Sequence, residues 1–336
     1  MAQPTPASDG AALPSIVGVV GAGTMGAGIA QVALEAGCEV VLYDVDEAAV
    51  ERGIERIRDG LTRRASKLDL DPDATEDWMG NRLGRVRHIP TLDGLADEAD
   101  LVIESAIEDL ALKRTIFRTL DDVADPEIIL ATNTSALSVA EIARATTRPE
   151  RVIGLHFFNP APVMTLVEVI APPLADPAVV ARAVATITAW GKTPVVCADR
   201  PGFIVNRVNR PFTIEALRIL ESGAAGVTEI DAALREDGFP MGPFELMDLT
   251  GIDVTLAAAT GIWEGLGQPH RLRPSPIQQR LVEAGDLGRK TGRGFYHYVD
   301  GRRADVAETS SNVTFGESLS PAAIRQRILD AIAEEA

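Results

Sequence analysis

Residues 15–20, Ser-Ile-Val-Gly-Val-Val, form a β-rich apolar run that leads directly into Gly21-Ala22-Gly23-Thr24-Met25-Gly26. A helical pattern then continues to about Ala36. No other feature of the chain constrains its fold as tightly. A G-x-G-x-x-G string alone is a weak signal. Here it follows a strand, opens a helix, and is followed by Asp44 at the end of a second strand, Glu39 to Tyr43, which is the context the motif requires. Gly21 allows the tight turn, Gly23 lets a pyrophosphate approach the backbone, and Gly26 lets the helix pack close to the sheet with its N-terminus facing the phosphates. Asp44 can accept hydrogen bonds from ribose hydroxyls and would repel a 2′-phosphate, which favours NAD over NADP. FAD uses the same fingerprint and stays open as a competitor.

Strand and helix signals alternate beyond this point. Apolar runs at 101–103, 128–131, 152–155, 166–170 and 193–197 are separated mostly by helical patterns. Such alternation predicts an α/β fold with a doubly wound, mostly parallel sheet over 15–200. From Gly202 the pattern becomes helical, with almost no strand signal. Pro201-Gly202 is expected to open one long helix that stops at Ser222-Gly223, followed by helices near 228–236, 243–263 and 275–284. Residues 201–299 are therefore expected to form an all-helical second domain. Residues 300–318 are polar and read as a linker; 319–336 read as a last helix, with Ser320 as N-cap and Pro321 in its first turn.

The chain has four histidines, and one of them, His156, ends the apolar run 151–155. A titratable residue at a strand's carboxyl end is where an open α/β sheet places its chemistry. Twelve positions later, Glu168 lies inside the next apolar run, Leu166-Val167-Glu168-Val169-Ile170. A lone carboxylate in such a strand needs a partner, because burying it unpaired is costly. A histidine with a carboxylate partner has a fixed tautomer and raised basicity. Taken alone, the pair reads equally well as a buried structural contact.

Composition narrows the functional classes. The net charge of −17 argues against nucleic acid and anionic membranes as partners, and no apolar run is long enough to span a bilayer. The two cysteines, Cys38 and Cys197, have neither metal nor redox spacing, and buried free thiols suit a cytoplasmic protein. No metal site is expected. Residues 1–14 carry neither a basic nor an apolar segment and read as a disordered leader.

Together these features resemble the L-3-hydroxyacyl-CoA dehydrogenase family, from about Ile16 to Tyr298. The matching strings are GAGTMGAGIAQ (21–31), NTSA (133–136), GLHFFNP with VEV (154–160, 167–169), PGFIVNR (201–207), PMGPFELMD (240–248) and LGRKTGRGFY (287–296). The resemblance implies a Rossmann-type domain followed by a helical substrate and dimerisation domain, and a reversible oxidation of a 3-hydroxyacyl-CoA to a 3-ketoacyl-CoA with NAD. It implies His156 as general base, Glu168 as its partner, and Ser135 and Asn206 as donors to the reacting oxygen and the thioester carbonyl. It also implies cofactor contacts from Gly21, Gly23, Met25, Gly26, Asp44, Glu108, Lys113, Ser135, Asn159 and Lys290. The 240–248 stretch reads instead as a structural turn. Coenzyme A phosphates need local positive charge, and Arg52, Arg56, Arg58, Arg63, Arg64 and Lys67 provide it on one helical stretch. Lys67 matches a family coenzyme A contact. The chain departs from the pattern at Gly60 and Ala136, where the family carries serines. A relative acting on a non-CoA hydroxyacid or a carrier-protein thioester remains an alternative, as does a non-catalytic nucleotide-binding protein on the same fold. The resemblance also implies a homodimer through the helical domain.

The last helix resembles the start of the helical domain. Ile204 to Arg207 lie over Ile324 to Arg327, and Glu215-Ala216 over Glu335-Ala336, at a constant offset of 120 residues. Some longer family members carry a second helical-domain copy, so the tail is expected to be the beginning of one, either mobile or borrowing a surface. Since every candidate residue precedes Tyr298, the tail beyond 300 is expected to be dispensable for activity.

Overall fold

The computed structural model describes residues 13–307 and 318–336. The leader expected over 1–14 therefore falls outside the described residues except for Leu13 and Pro14, as does most of the expected 300–318 linker. The chain divides into two compact units, Met1–Asp199 and Arg200–Ala336.

The first unit runs β1 (Ile16–Val20), α1 (Thr24–Glu35), β2 (Glu39–Tyr43), α2 (Glu47–Ala65), α3 (Pro72–Leu83), β3 (Val86–His88), α4 (Leu92–Glu98) and β4 (Leu101–Glu104). It continues through α5 (Leu110–Val123), β5 (Ile129–Thr132), α6 (Val139–Ala143), β6 (Val152–Phe157), β7 (Leu166–Ala171), α7 (Pro177–Ala189) and β8 (Thr193–Ala198). The strands form one sheet in the order β3-β2-β1-β4-β5-β6-β7-β8. Every neighbouring pair is parallel except β6 and β7, which are antiparallel. Strand order reverses direction between β1 and β4, so the crevice at their carboxyl ends is the switch point where such sheets bind ligands. The central strands β4 and β5 are buried along their length and apolar up to their last residues, Glu104 and Thr132, as parallel sheets covered by helices favour.

Asp121, buried in α5, ties that helix to the segment before β6. It accepts from the Thr147 amide and hydroxyl, both at 2.6 Å, and from Arg148 and Arg151, both at 3.1 Å. Burial alone would push its carboxyl up, but the Thr147 donors and the Arg148 charge outweigh it and hold the group below the usual carboxylate range.

The second unit runs α8 (Val205–Val208), α9 (Arg210–Glu221), α10 (Val227–Glu236), α11 (Pro243–Thr250), α12 (Ile252–Gly265) and α13 (Pro276–Ala284), then β9 (Tyr296–Val299), β10 (Arg302–Val306) and α14 (Pro321–Glu335). Three expectations are corrected. The single helix expected to run from Pro201 to Ser222 is two, because Gly202 and Phe203 take positive φ and Pro211 has no amide to continue the ladder past Asn209. The 243–263 helix breaks at Gly251, whose φ of 101° no L residue adopts readily. The stretch from Tyr296 to Val306, most of it assigned to the linker, is a β-hairpin turning at Asp300-Gly301.

Most of the 240–248 stretch, read from the sequence as a turn, lies in α11. Asp248 accepts from the Phe295 and Tyr296 amides and the Tyr298 hydroxyl, and Asp231 from the Phe244 and Glu245 amides and the Tyr296 hydroxyl. These bonds fasten the hairpin to α10 and α11. α14 is packed into the unit: Ile324 and Ile328 are buried in the same core as Phe212, Leu217 and Ile230. Of the fates open to the last helix, the structure shows it on α9 and α10. Its deletion would uncover this core, so the expectation that the tail is dispensable does not carry over.

Replacing Asp121 by Ala strands the buried Arg151 guanidinium, and the expected loss of stability is about 3–5 kcal/mol, read by urea melts at neutral pH. The contribution of this lowered-pKa carboxyl is present above its unfolded-state value and is lost as pH falls through its folded-state value. Wild type and variant should therefore converge at acid pH; a constant gap down to pH 2 would contradict the assignment.

Candidate active site

The glycine loop leaves β1 at Gly21, whose φ is 100° and where an added Cβ would stand 2.6 Å from the Ser105 carbonyl oxygen. At Gly26 an added Cβ would meet the Gly21 carbonyl oxygen at 1.8 Å, so α1 can approach the loop only with glycine there. At Gly23 an added Cβ would meet nothing within 4 Å, which leaves the room a pyrophosphate needs. No side chain caps α1, whose N-terminal amides point to the same space. Met25 is half-buried against the sheet's core. Asp44 stands just past β2 and accepts from the Ala22 amide at 2.8 Å, so the carboxylate is anchored beside the loop. This donor set and space fit a dinucleotide.

The antiparallel turn of the sheet builds the second half of the site. β6 and β7 pair with His156 opposite Glu168. His156 Nδ1 lies 2.6 Å from Glu168 Oε2, and both side chains are buried, Glu168 completely. The Phe158 ring stacks at a tilt on the imidazole, with centroids 4.5 Å apart. Two residues that the sequence did not single out hold this corner. Asn133 accepts from the Phe157 amide at 2.8 Å and donates to the Ser105 hydroxyl at 3.2 Å, pinning the end of β6 to β4. Lys192 donates to the carbonyls of Ala161 and Met164 at 2.7 and 2.8 Å, clamping the turn between His156 and Glu168. Asn159 is exposed in that turn.

Glu108 is exposed just before α5, whereas Lys113, in the first turns of that helix, is buried. Lys113 is only 1% exposed and donates to Glu104 Oε1 at 2.6 Å, with Glu108 Oε2 at 3.4 Å. Glu104, wholly buried at the end of β4, also accepts from the Thr132 hydroxyl and the Ala106 amide. Glu108 accepts from the Thr134 hydroxyl at 2.5 Å and from the Ser135 and Ala136 amides at 2.9 and 3.2 Å. The Ser135 loop is thus fixed by a carboxylate, and Ser138 caps α6. A buried carboxylate at a strand end, with the lysine on the next helix to match it, was a legible signal for Glu104.

The remaining candidates stand at three other places. Lys67 lies beyond the end of α2. Arg52 pairs with Asp46 and Arg64 with Glu35, while Arg58, Arg63 and Lys67 are exposed and, among the described residues, make no ion pair. Asn206 lies in α8, and Lys290 is held by both oxygens of Asp253 at 2.6 and 2.7 Å; both belong to the second unit. Among the described residues no His, Cys, Asp and Glu cluster could hold a metal ion, and no helix is long and apolar enough to cross a membrane.

A glycine loop at the switch point and a buried His–carboxylate pair at the end of β6 define a dinucleotide-binding protein of the doubly wound class. Residues 16–200 match the model of the 3-hydroxyacyl-CoA dehydrogenase NAD-binding domain, and residues 202–298 match that of the family's C-terminal domain. The chain belongs to the 3-hydroxyacyl-CoA dehydrogenase family. It is 47% identical over 292 residues to a 3-hydroxyadipyl-CoA dehydrogenase of Escherichia coli, covering 86% of this chain and 60% of that one. It is 43% identical over 285 residues to a 3-hydroxybutyryl-CoA dehydrogenase of Mycobacterium tuberculosis, covering 84% of this chain and 98% of the relative. Among solved structures, the (S)-3-hydroxybutyryl-CoA dehydrogenase of Ralstonia eutropha superposes with a TM-score of 0.81 at 38% identity, covering 85% of this chain and 99% of that one.

Lys113→Met removes the cation that faces buried Glu104. The expected cost is about 3–5 kcal/mol in the stability of the apoprotein, because the carboxylate stays buried without its charge partner. Circular dichroism melts without cofactor measure it. An apoprotein as stable as wild type would mean that Lys113 serves ligand contacts alone.

Proposed function

We propose that this chain interconverts L-3-hydroxyacyl-CoA and 3-ketoacyl-CoA with NAD, and that His156 is the general base. The observation that carries the reading is the 2.6 Å contact between His156 Nδ1 and the buried Glu168 carboxylate at the carboxyl end of β6. With Nδ1–H donated to Glu168, Nε2 is the ring atom that takes the proton of the substrate 3-hydroxyl. Glu168 fixes the tautomer and stabilises the imidazolium that forms. Bound NAD supplies the nicotinamide C4 that accepts the hydride. Gly21, Gly23, Met25, Gly26 and Asp44 hold its adenosine and pyrophosphate end. Glu108, Lys113, Asn159 and Lys290 are assigned to the remainder of the cofactor. Ser135 and Asn206 donate to the reacting oxygen and the thioester carbonyl, where charge develops. Lys67, with the exposed Arg58 and Arg63, offers positive charge to coenzyme A phosphates.

The names of the two relatives make a short acyl thioester and its ω-carboxylated counterpart the substrates to compare. A cytoplasmic location belongs to the same reading and is supported by two buried free thiols, of which Cys197 is pushed up to about 12 by burial and is correspondingly inert. So does a homodimer, which the mass of the chain in solution measures.

NADH oxidation with acetoacetyl-CoA, set against the pantetheine thioester and the free acid, tests the substrate class. Equal rates with all three would remove coenzyme A from the proposal. In the same assay His156→Gln should lower kcat by roughly 10²–10⁴ while NADH still binds. Glu168→Gln should slow turnover too, and the double variant should lose less than the two single losses combined, since the pair acts as a unit. Near wild-type turnover in His156→Gln would sink the mechanism.

Asp44→Ala should raise the KM for NADH and narrow the preference for NADH over NADPH. A lost charged hydrogen bond sets the effect at about 1–3 kcal/mol. An unchanged ratio of kcat/KM for the two cofactors would show that Asp44 does not face the ribose.

A further inference from the structure

Among the described residues, four arginines have a buried Nε without a hydrogen-bond partner: Arg82, Arg151, Arg210 and Arg293. Three of them satisfy the rest of the guanidinium. Arg82 donates to the Trp78 carbonyl, Arg151 donates to Asp121, and Arg293 pairs with Asp286. Arg210, the first residue of α9, differs: no side-chain hydrogen bond or ion pair joins it to any described residue. Glu215, the acid nearest to it along α9, is held by Arg218 and Arg327. Burial therefore pushes the Arg210 guanidinium down to about 10, with no carboxylate to oppose the shift. Taking a cation out of water with nothing to face it is costly, and an apolar side chain would fill the same volume without that cost. In a chain with 49 Asp and Glu residues, an arginine left without one points to an anion that arrives with a ligand.

The position of Arg210 says which anion. It stands four residues beyond Asn206, the proposed donor to the substrate's oxygens. Asn209, which joins α8 to α9, has φ −79° and ψ −9°, so the right-handed turn carries through. Asn206 and Arg210 therefore share a face, about 6 Å apart along the axis. Helical side chains lean toward the N-terminus, which takes Arg210 back toward Asn206. An acyl chain whose oxygen is held at Asn206 can offer an anion one turn away only at its far end. We propose that Arg210 is a specificity residue that receives the ω-carboxylate of a short dicarboxylic 3-hydroxyacyl-CoA. The proposal rests on the dehydrogenase reading and chooses between the two acyl thioesters set side by side there. The planar guanidinium fork matches two carboxylate oxygens, and such charge-assisted pairs are the strong ones. A methyl end has the opposite effect. It strips the guanidinium of water and returns no acceptor, so the same residue that welcomes the carboxylate discriminates against the plain chain.

NAD reduction with 3-hydroxyadipyl-CoA and with 3-hydroxyhexanoyl-CoA, which has the same carbon chain without the terminal carboxylate, tests this on the full-length chain. Wild type should have the higher kcat/KM for 3-hydroxyadipyl-CoA. Arg210→Met keeps most of the stem and loses the charge. It should lower the ratio of the two kcat/KM values on the order of 10–10²-fold, the span of a hydrogen bond to a charged group, while the KM for NAD does not follow. The Tm of the apoprotein should hold or rise, because the variant removes an unpaired charge. A lower Tm with an unchanged ratio would make Arg210 a brace of the fold and overturn the proposal. A loss that appears as a raised KM for NAD, equal for both thioesters, would overturn it too, because the anion would then be a cofactor phosphate. Wild type keeps the two possible failures apart. If it oxidises neither thioester, the dehydrogenase reading falls and takes this proposal with it; if it oxidises both without preference, this proposal falls alone. Should Arg210→Met not fold, Arg210→Gln decides by the same ratio.

Discussion

The structure depends most on one constraint, that a carboxylate cannot enter a dry sheet interior without a partner. Glu168 and Glu104 are both fully buried on strands of the same sheet. Each is answered from the neighbouring element: Glu168 by His156 on the antiparallel strand β6, and Glu104 by Lys113 on the helix that follows it. The answers fix geometry. An imidazole held at Nδ1 has one orientation and one tautomer. A lysine held by Glu104 cannot swing into solvent, and it stands within 3.4 Å of Glu108, whose other oxygen gathers the Ser135 loop. Burial that would be ruinous for an isolated charge thus becomes the means of placing the proposed base and cofactor contacts within tight limits.

The antiparallel step between β6 and β7 serves the same end. A parallel β7 would have needed a crossover of a dozen or more residues before it. The reversed strand returns after a short turn, with His156 and Glu168 in register across the ladder. Lys192 then uses its three donors on the carbonyls of that turn, which a loop of this kind cannot satisfy by itself. At Gly60, where the family carries a serine, an added Cβ would stand 1.9 Å from the Gln31 side-chain oxygen, so a side chain there requires the end of Gln31 to move.

Much of this was legible in the sequence. The glycine loop with Asp44 gave the first βαβ turn, and strand positions followed from apolar runs bounded by polar residues. The His156–Glu168 pair was suggested by a lone carboxylate in an apolar strand. What was not legible depended on tertiary geometry or on single-residue breaks. Helical periodicity continues across Asn209-Arg210-Pro211 and across Gly251, so a pattern of apolar residues alone joins helices that the backbone separates. The hairpin strand β10 is largely exposed and polar, with no alternation to mark it; it forms because β9 offers it an edge and Asp300-Gly301 accepts the turn. Lys113 is spaced like any solvated helix residue, and only the buried Glu104 beside it explains its burial.

In the second unit, apolar burial and charge divide the work differently. Fully burying Ile324 and Ile328 contributes roughly 1.5–3 kcal/mol each, and it is this that holds α14 to α9 and α10. The ion pairs add less, since Arg207, Arg271 and Arg327 are each partly exposed and a screened pair of this kind is worth about 0–1 kcal/mol. Their contribution is to register. An apolar stripe with a repeat of three to four residues can slide by a turn with little loss, whereas Arg207–Glu335 and Arg327–Glu215 can both close in only one alignment. The reciprocal pairs select the position, and the isoleucines supply the energy once it is chosen.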